Sequence, residues 1–287
     1  MESEEDGMGV LSGLGNLGLG GLEGMDIFEE EAVKKDDKTA AVEPPKVQEK
    51  DLIYDKTFHC PVCDKDFSAK IMKSGKAKLI GTDNDLRARY EGIDPVKYDV
   101  ELCPICGYAA LGRYFPNLSP TQVKLIREKV SMNVHVNTYT GDTYSYEQAM
   151  ERYKLALVCA VVKHAKASEK AYICLKSGWL VRGYRESLLE SGGDEKLIAG
   201  LAKQEDEYLQ NAYKGFVEAR QSEGFPMCGM DEITVDYLLA VLSVRFKKFD
   251  VASRLVASIL TSTSANSRMK DKARELKDEI LIQLKKK

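Results

Sequence analysis

Four cysteines occur as two pairs with the same internal spacing, Cys60-Pro61-Val62-Cys63 and Cys103-Pro104-Ile105-Cys106. A C-x-x-C turn directs both sulfur atoms to one side, and two such turns supply the four thiolates that complete the tetrahedral shell of a structural zinc ion. We therefore predict that Cys60, Cys63, Cys103 and Cys106 bind one structural Zn²⁺. Iron is the competing metal, because thiolates also accept it. Four cysteine ligands leave no open position for catalysis.

The cysteine pairs have a second interpretation, as a thiol switch. Thioredoxin-like chemistry needs the pair at the start of a helix beside a βαβ unit, and the sequence shows no such pattern. His59 adjoins Cys60 and is interpreted as a residue at the rim of the first turn, with a ligand role as the alternative. Three further cysteines are expected to pack as small apolar side chains: Cys159, Cys174 and Cys228.

The residues around the cysteine pairs show the pattern of small strands. Short alternating runs predict strands over 57–59, 68–72, 76–80 and 97–102. A turn at 73–75 is expected to join the second strand to the third, because Gly75 adopts a positive φ at little cost. Residues 82–95 are predicted to be a long loop that forms a functional surface or wraps around the metal site.

From residue 117 onward the pattern is helical. Ser119 with Gln122, and Ser145 with Gln148, have the spacing of a capping box at a helix start. Further helices are predicted over 168–189, 195–222, 231–247, 250–262 and 267–285. Residues around Trp179 and Tyr237 have a sequence pattern like that of tetratricopeptide repeats. These two residues lie 58 positions apart, whereas the usual repeat length is about 34 residues.

These patterns predict an α+β, predominantly α fold. A small zinc-ribbon-like β module is expected over 51–116, followed over 117–287 by an antiparallel α-helical, tetratricopeptide-like solenoid. Residues 1–50 are Gly- and Leu-rich and then acidic, with a net charge of −8, and are predicted to be a disordered arm. Residues 51–287 then carry +5, which is far below the positive excess typical of nucleic-acid-binding proteins.

The stretch Phe58 to Ala110, with FHCPVC, SGK and RYEGIDPVKYDVELCPICGYAA, resembles the bacterial family known as domain of unknown function 2225. The resemblance extends over about residues 51–285 and implies a two-knuckle cysteine module followed by tetratricopeptide-like helices. It carries the ligand role to Cys60, Cys63, Cys103 and Cys106. The first knuckle departs from the family pattern, because Asp64 stands where Gly107 stands in the second.

The function expected from these features is a non-enzymatic adaptor whose helical groove binds a protein or peptide. Candidate anchors in that groove are Tyr172, Trp179 and Tyr184. The alternative is nucleic-acid binding through the lysines of the zinc module, namely Lys70, Lys73, Lys76 and Lys78. The sequence contains no P-loop, zinc-protease or serine-hydrolase motif, and hence no catalytic residues are assigned.

A cytoplasmic location is expected, without membrane association. The longest uninterrupted apolar run is the eight residues from Leu155 to Val162, whereas a membrane-spanning helix needs about 20. The first residues are acidic where a secretory signal would carry Lys or Arg.

Overall fold

Within the part of the chain that the structure describes, six short strands precede seven α-helices. A computed structural model describes residues 47–137, 139 and 141–285. Residues 1–46 of the arm predicted over 1–50 therefore lie outside the described residues. The strands are β1 (Ile53–His59), β2 (Asp66–Met72), β3 (Leu79–Thr82), β4 (Ala88–Tyr90), β5 (Val100–Leu102) and β6 (Ala109–Leu111). The helices are α1 (Pro120–Ile126), α2 (Tyr146–Val162), α3 (Ala167–Ser191), α4 (Glu195–Ser222), α5 (Glu232–Arg245), α6 (Phe249–Thr261) and α7 (Ser267–Lys285). The predicted fold class, α+β and predominantly α, is confirmed.

Four of the described helices, α1, α2, α4 and α5, begin close to the predicted positions with a side-chain cap on the first turn. Ser119 and Ser145 each accept a hydrogen bond from the backbone N–H of the glutamine three residues later, and the side-chain oxygen of that glutamine accepts one from the serine N–H. At the starts of α4 and α5, the Asp194 and Asp231 side chains accept hydrogen bonds from backbone N–H groups of the first turn, without a returning side chain. Consecutive helices from α2 to α7 pack against one another. Their assignment to tetratricopeptide-like repeats stays a prediction.

The strands form three separate two-stranded antiparallel sheets, which pair β1 with β2, β3 with β4, and β5 with β6. The predicted hairpin turn at 73–75 is therefore wrong, since β2 pairs backward with β1 rather than forward with β3. Gly75 does have the expected positive φ of 70°, but it lies in an irregular connection. The first hairpin closes instead through the cysteine turn that follows His59, where His59 opposes Asp66.

Residues 82–95 form most of the β3–β4 hairpin and its exit, rather than a loop around the cysteines. Their charged side chains pair with α3. Arg182 binds Asp83 at 3.0 Å and also pairs with Asp85, while Arg87 binds Glu186 at 2.9 Å. These pairs are largely buried, and they fix the hairpin to the helical region. A sequence pattern could not reveal them because the partners are about 100 positions apart.

Two hydrophobic cores connect strands to helices. In the larger core, Leu102 of β5 packs with Tyr153, Leu180, Phe216 and Leu238 from four successive helices. The second core surrounds the cysteine pairs. The described residues belong to one compact unit, and the predicted boundary at 116/117 stays a prediction. Among the described helices, none has the length and apolar content that crossing a bilayer requires.

Candidate metal centre

Each cysteine pair lies in the turn of a β-hairpin. Cys60 and Cys63 lie in the turn between β1 and β2, and Cys103 and Cys106 lie in the turn between β5 and β6. Neither pair opens a helix beside a βαβ unit, which is the context a thioredoxin-like dithiol would need. The two hairpins share no backbone ladder, so the cysteines are placed where two independent hairpin tips meet.

The two turns have the same backbone hydrogen bonds. The Cys60 N–H donates to Lys65 O, and the Asp64 N–H donates to Cys60 O, both at 2.9 Å. In the second turn the Cys103 N–H donates to Tyr108 O, and the Gly107 N–H donates to Cys103 O, also at 2.9 Å. This pattern leaves later N–H groups of each turn free to face sulfur. Those of Val62 and Cys63 donate to the Cys60 thiol.

The four sulfur atoms converge at one point. All four Sγ atoms lie within 4.8 Å of one another, with Cys60–Cys106 and Cys63–Cys103 each at 3.6 Å. Around a zinc ion with Zn–S bonds of about 2.3 Å, tetrahedral geometry sets sulfur atoms about 3.8 Å apart. The arrangement therefore fits one tetrahedral ion held by four cysteines, and three of those cysteines are buried.

The cluster favours ionised sulfur at Cys103. Hydrogen bonds from the Cys106 and Cys60 thiols hold the pKa of Cys103 well below its usual range. The same contact with Cys103 raises the pKa of Cys60 and of Cys106, because one thiolate suppresses ionisation of its neighbours. A soft dication removes this conflict by neutralising charge at all four sulfurs, which is the usual reason that thiolate clusters accept zinc.

Aromatic side chains and one arginine hold the two hairpins around the sulfurs. Phe67 of β2 meets Phe115 edge-on with ring centroids 5.7 Å apart, and Tyr108 stacks on Phe115 at 4.8 Å. Arg127 follows α1 and donates from Nε to Val62 O at 2.6 Å, inside the first turn. No spacing rule in the sequence links Arg127 to a turn 65 positions earlier, so this contact could not be predicted.

His59 lies at the rim of the first turn, as predicted, and both ring nitrogens are bound to carboxylates. Nδ1 lies 2.8 Å from Asp66 and Nε2 lies 2.9 Å from Asp64. The hydrogen bonds with Asp66 and then Asp64 raise the pKa of His59. Cys159, Cys174 and Cys228 are all buried apart from the cluster. Burial raises the pKa of each of their thiols.

The three aromatic residues predicted as partner anchors occupy different environments. Trp179 is buried, with 6% of its surface exposed. Tyr172 is half-buried between the cations Arg113 and Lys176. Tyr184 stacks on Tyr146 and donates a hydrogen bond to Glu147. The Lys176 ammonium lies 5.2 Å from the Tyr172 ring and 5.6 Å from the Trp179 ring. The role of the three aromatic residues in binding stays a prediction.

The four lysines of the nucleic-acid alternative lie on β2 and on the connection to β3. Lys70 pairs with Asp55 at 3.1 Å, Lys73 donates to Asp51 O at 2.8 Å, and Lys78 lies 3.7 Å from Glu91. Lys76 is exposed, and no ion pair to it exists within the described part of the chain. The neighbouring acids neutralise much of the positive charge that phosphate binding would use.

The family comparison agrees with the architecture. The model of the family described as "Uncharacterized protein conserved in bacteria (DUF2225)" matches residues 53–280. The chain therefore belongs to this family. Comparison with curated proteins and with solved structures gave no match.

Proposed function

We propose that Cys60, Cys63, Cys103 and Cys106 bind one zinc ion whose role is structural. The observation that carries the proposal is the convergence of four thiols, all within 4.8 Å of one another, from two equivalent turns. Four sulfur ligands satisfy tetrahedral zinc completely, so the ion has no site for substrate or activated water. The bound ion would supply a cross-link between two hairpins that share no backbone hydrogen bonds.

Metal analysis tests this proposal. Protein purified with zinc and iron both supplied should contain one zinc per chain. Cys63→Ala and Cys106→Ala should each lose the metal, because three cysteines leave the site open and weaken binding. Cys174→Ala is the matched control, since Cys174 is buried outside the cluster, and it should retain the ion. Stoichiometric iron would correct the metal, and retention of zinc by both cluster variants would contradict the site.

We further propose that the protein is a non-enzymatic adaptor. One supporting feature is the exposed side of α2. Val158 and Val161 are about half exposed there, while the intervening Cys159 contacts the second cysteine turn at Gly107 O. Exposed apolar side chains on a helix held in place by the metal module are suited to a protein partner. Trp179 is buried and is not used as a partner anchor in this proposal.

Site-specific photo-crosslinking tests the adaptor role. A photoreactive residue at position 158 or 161 should yield a defined crosslinked protein species in cells, and the same residue at exposed Lys277 of α7 should not. Equal crosslinking at all three positions would contradict a specific surface on α2.

The nucleic-acid alternative makes a different prediction. A complex that depends on phosphate contacts weakens steeply between low and physiological salt, because counterions are released on binding. Lys76→Glu should abolish such a complex, whereas Lys277→Glu should not. An apolar complex on α2 should show little dependence on salt.

A further inference from the structure

A cavity of about 330 Å³ lies between α4 and the turn that joins α5 to α6, and none of the four cluster cysteines lines it. This volume is at the lower end of the range that holds small molecules. Among the described residues that line the cavity, four are cations and none is an acid: Gln210, Tyr213 and Lys214 of α4, and Arg245, Phe246, Lys247 and Lys248 of the turn. Such a lining favours a negatively charged ligand.

The α4 wall of the cavity presents three polar side chains on one face. Gln210, Tyr213 and Lys214 are three and four positions apart, which is the spacing of neighbours on a helix surface. Tyr213 is only 8% exposed, and its ring meets Phe246 edge-on with centroids 6.3 Å apart. Within the described residues, no hydrogen bond reaches the Tyr213 hydroxyl. A phenol fixed in a cavity wall without a partner offers its O–H to a ligand.

Lys248 connects the opposite wall to this face. Its Nζ lies 4.4 Å from the centroid of the Tyr213 ring, so the ammonium and the phenol hydroxyl are within reach of one phosphate group. Within the part of the chain that the structure describes, neither Lys248 nor Lys214 forms an ion pair. The contact with an aromatic ring holds the ammonium in place but leaves its charge without a counter-ion.

Arg245 contributes less to the charge of the cavity. Its Nε donates to Asp206 Oδ1 at 2.9 Å, and its Nη2 lies 3.0 Å from Glu205 Oε1. These two carboxylates already balance the guanidinium charge. The cations available to a ligand are therefore lysines.

The third of these lysines, Lys247, has a strained backbone. It adopts a left-handed φ of 58° at the position after a helix where glycine is usual, and its N–H donates to Val244 O at 3.0 Å. Strain of this kind at a residue other than glycine clusters at ligand sites. Lys247 also borders the neighbouring cavity beside α7, so that Lys214 and Lys248 define the site and Lys247 adds to its charge.

We propose that this cavity binds a diphosphate group, carried by a nucleoside di- or triphosphate or present as inorganic pyrophosphate. Lys214 and Lys248 contact the phosphate oxygens as cations, and Tyr213 donates a hydrogen bond from its hydroxyl. A single phosphate ester carries a charge of about −2 at most near neutral pH, so three unpaired lysines match a group with a second phosphate. The proposal is independent of the metal and adaptor proposals, since it uses none of their residues.

The probes are inorganic pyrophosphate, ADP, AMP and adenosine, titrated calorimetrically into the full chain at physiological salt. Pyrophosphate and ADP should saturate the site and bind about tenfold more tightly than AMP, and adenosine should not bind. Tighter binding of ADP than of pyrophosphate would assign the diphosphate to a nucleotide, and equal binding would assign it to the diphosphate alone. Absence of saturable binding of both up to about 5 mM, near the weakest measurable affinity, would overturn the proposal.

A single-stranded RNA of about 12 nucleotides separates this site from a nucleic-acid surface, because such a strand contacts a surface through several successive phosphates. Its binding should be no tighter than that of ADP. An affinity for the RNA more than about tenfold above that for ADP, lost on substitution of the same lysines, would overturn the assignment to a small diphosphate.

Lysine variants locate the site. Lys214→Gln and Lys248→Gln should each weaken pyrophosphate by about tenfold, the effect of losing one charge-assisted hydrogen bond, and the double variant should show no saturable binding. Lys196→Gln is the matched control, because Lys196 is an exposed lysine of the same helix, 18 positions before Lys214. It should bind as the wild type does. Wild-type affinity in the double variant would overturn the site.

Two further variants distinguish ligand contact from a structural role. Tyr213→Phe keeps the ring and its contact with Phe246, and should weaken pyrophosphate by about fivefold without a change in the midpoint of urea unfolding. Lys247→Gly should also weaken pyrophosphate without lowering that midpoint, because glycine adopts a positive φ without strain. Losses of affinity that occur only together with losses of stability would indicate a structural effect and would overturn the proposed contacts.

Discussion

Asp64 and Gly107 occupy equivalent positions in the two cysteine turns and share a left-handed backbone, with φ of 60° and 72°. Their surroundings differ. The Asp64 side chain is 87% exposed and contacts His59. A Cβ at Gly107 would lie 2.3 Å from Val134 Cγ1. The first turn therefore accepts a side chain that the second turn excludes, which explains why Asp64 can stand in the first turn where the second has Gly107.

Substitutions at Gly107 and Asp64 should differ strongly in their effect on the free energy of unfolding. Gly107→Ala should lower the free energy of unfolding by about 2–4 kcal/mol, because it combines left-handed strain with a clash at Val134. Asp64→Gly should change stability by less than about 1 kcal/mol, since relief of strain offsets the loss of an exposed contact with His59. Urea denaturation of both variants measures the difference, and equal losses would contradict the proposed role of Val134.

Gly183 of α3 permits the close approach of the segment after β4. A Cβ there would lie 2.3 Å from Asp94 Oδ2 and 2.8 Å from Arg87 Nη2. Gly183→Ala should destabilise the protein by about 1–3 kcal/mol, because both groups are buried and bound to each other. Gly200→Ala, at an open position in α4, should instead stabilise the protein by about 0.5–1 kcal/mol. Thermal or urea unfolding of the pair provides the measurement. A stabilising effect at both positions would show that Gly183 is not required for packing.

Helix starts and the two cysteine turns could be predicted from sequence because their determinants are local. Ser119 and Ser145 act on backbone groups three residues away, and a C-x-x-C turn contains its own geometry. The pairing of β2 was predicted wrongly because a local signal does not identify the partner strand. Gly75 has the expected positive φ, yet β2 pairs with β1 and not with β3.

Long-range charge pairing could not be predicted. Glu205 of α4 pairs with Arg182 and Arg185 of α3 and with Arg245 of α5. No spacing in the sequence identifies such sets, because each depends on how distant elements pack.

Glu205 is fully buried and is surrounded by arginines. Its carboxylate binds Arg182 at 2.8 Å, and Arg185 and Arg245 at 3.0 Å each. Glu205→Gln should cost about 3–5 kcal/mol, because it leaves clustered cations without their buried counter-charge. Asp206→Asn is the matched control. Asp206 is 56% exposed and, among the described residues, pairs with Arg245 alone, so its loss should cost less than about 1 kcal/mol. Similar costs in chemical denaturation would contradict the central position of Glu205.

Glu101 should make stability depend on pH in a specific direction. Its pKa rises from 4.5 to about 7 on folding because of burial, so the folded state binds more protons than the unfolded state between these values. Stability from this group therefore falls as pH increases from about 4.5 to about 7. The difference in unfolding free energy between wild type and Glu101→Gln, measured at pH 5 and pH 7.5, should change by on the order of 1 kcal/mol after solvent screening is allowed for. Glu218→Gln should show no such change, and a wild-type advantage that grew with pH would contradict the burial of Glu101.

X-ray absorption at the zinc K-edge tests the central claim most directly, because it counts the atoms bound to the metal and measures their distance. Protein loaded with one zinc should show four sulfur neighbours at about 2.3 Å, with no nitrogen or oxygen in the first coordination shell. Two or three sulfur neighbours accompanied by nitrogen or oxygen would contradict a closed site formed by Cys60, Cys63, Cys103 and Cys106.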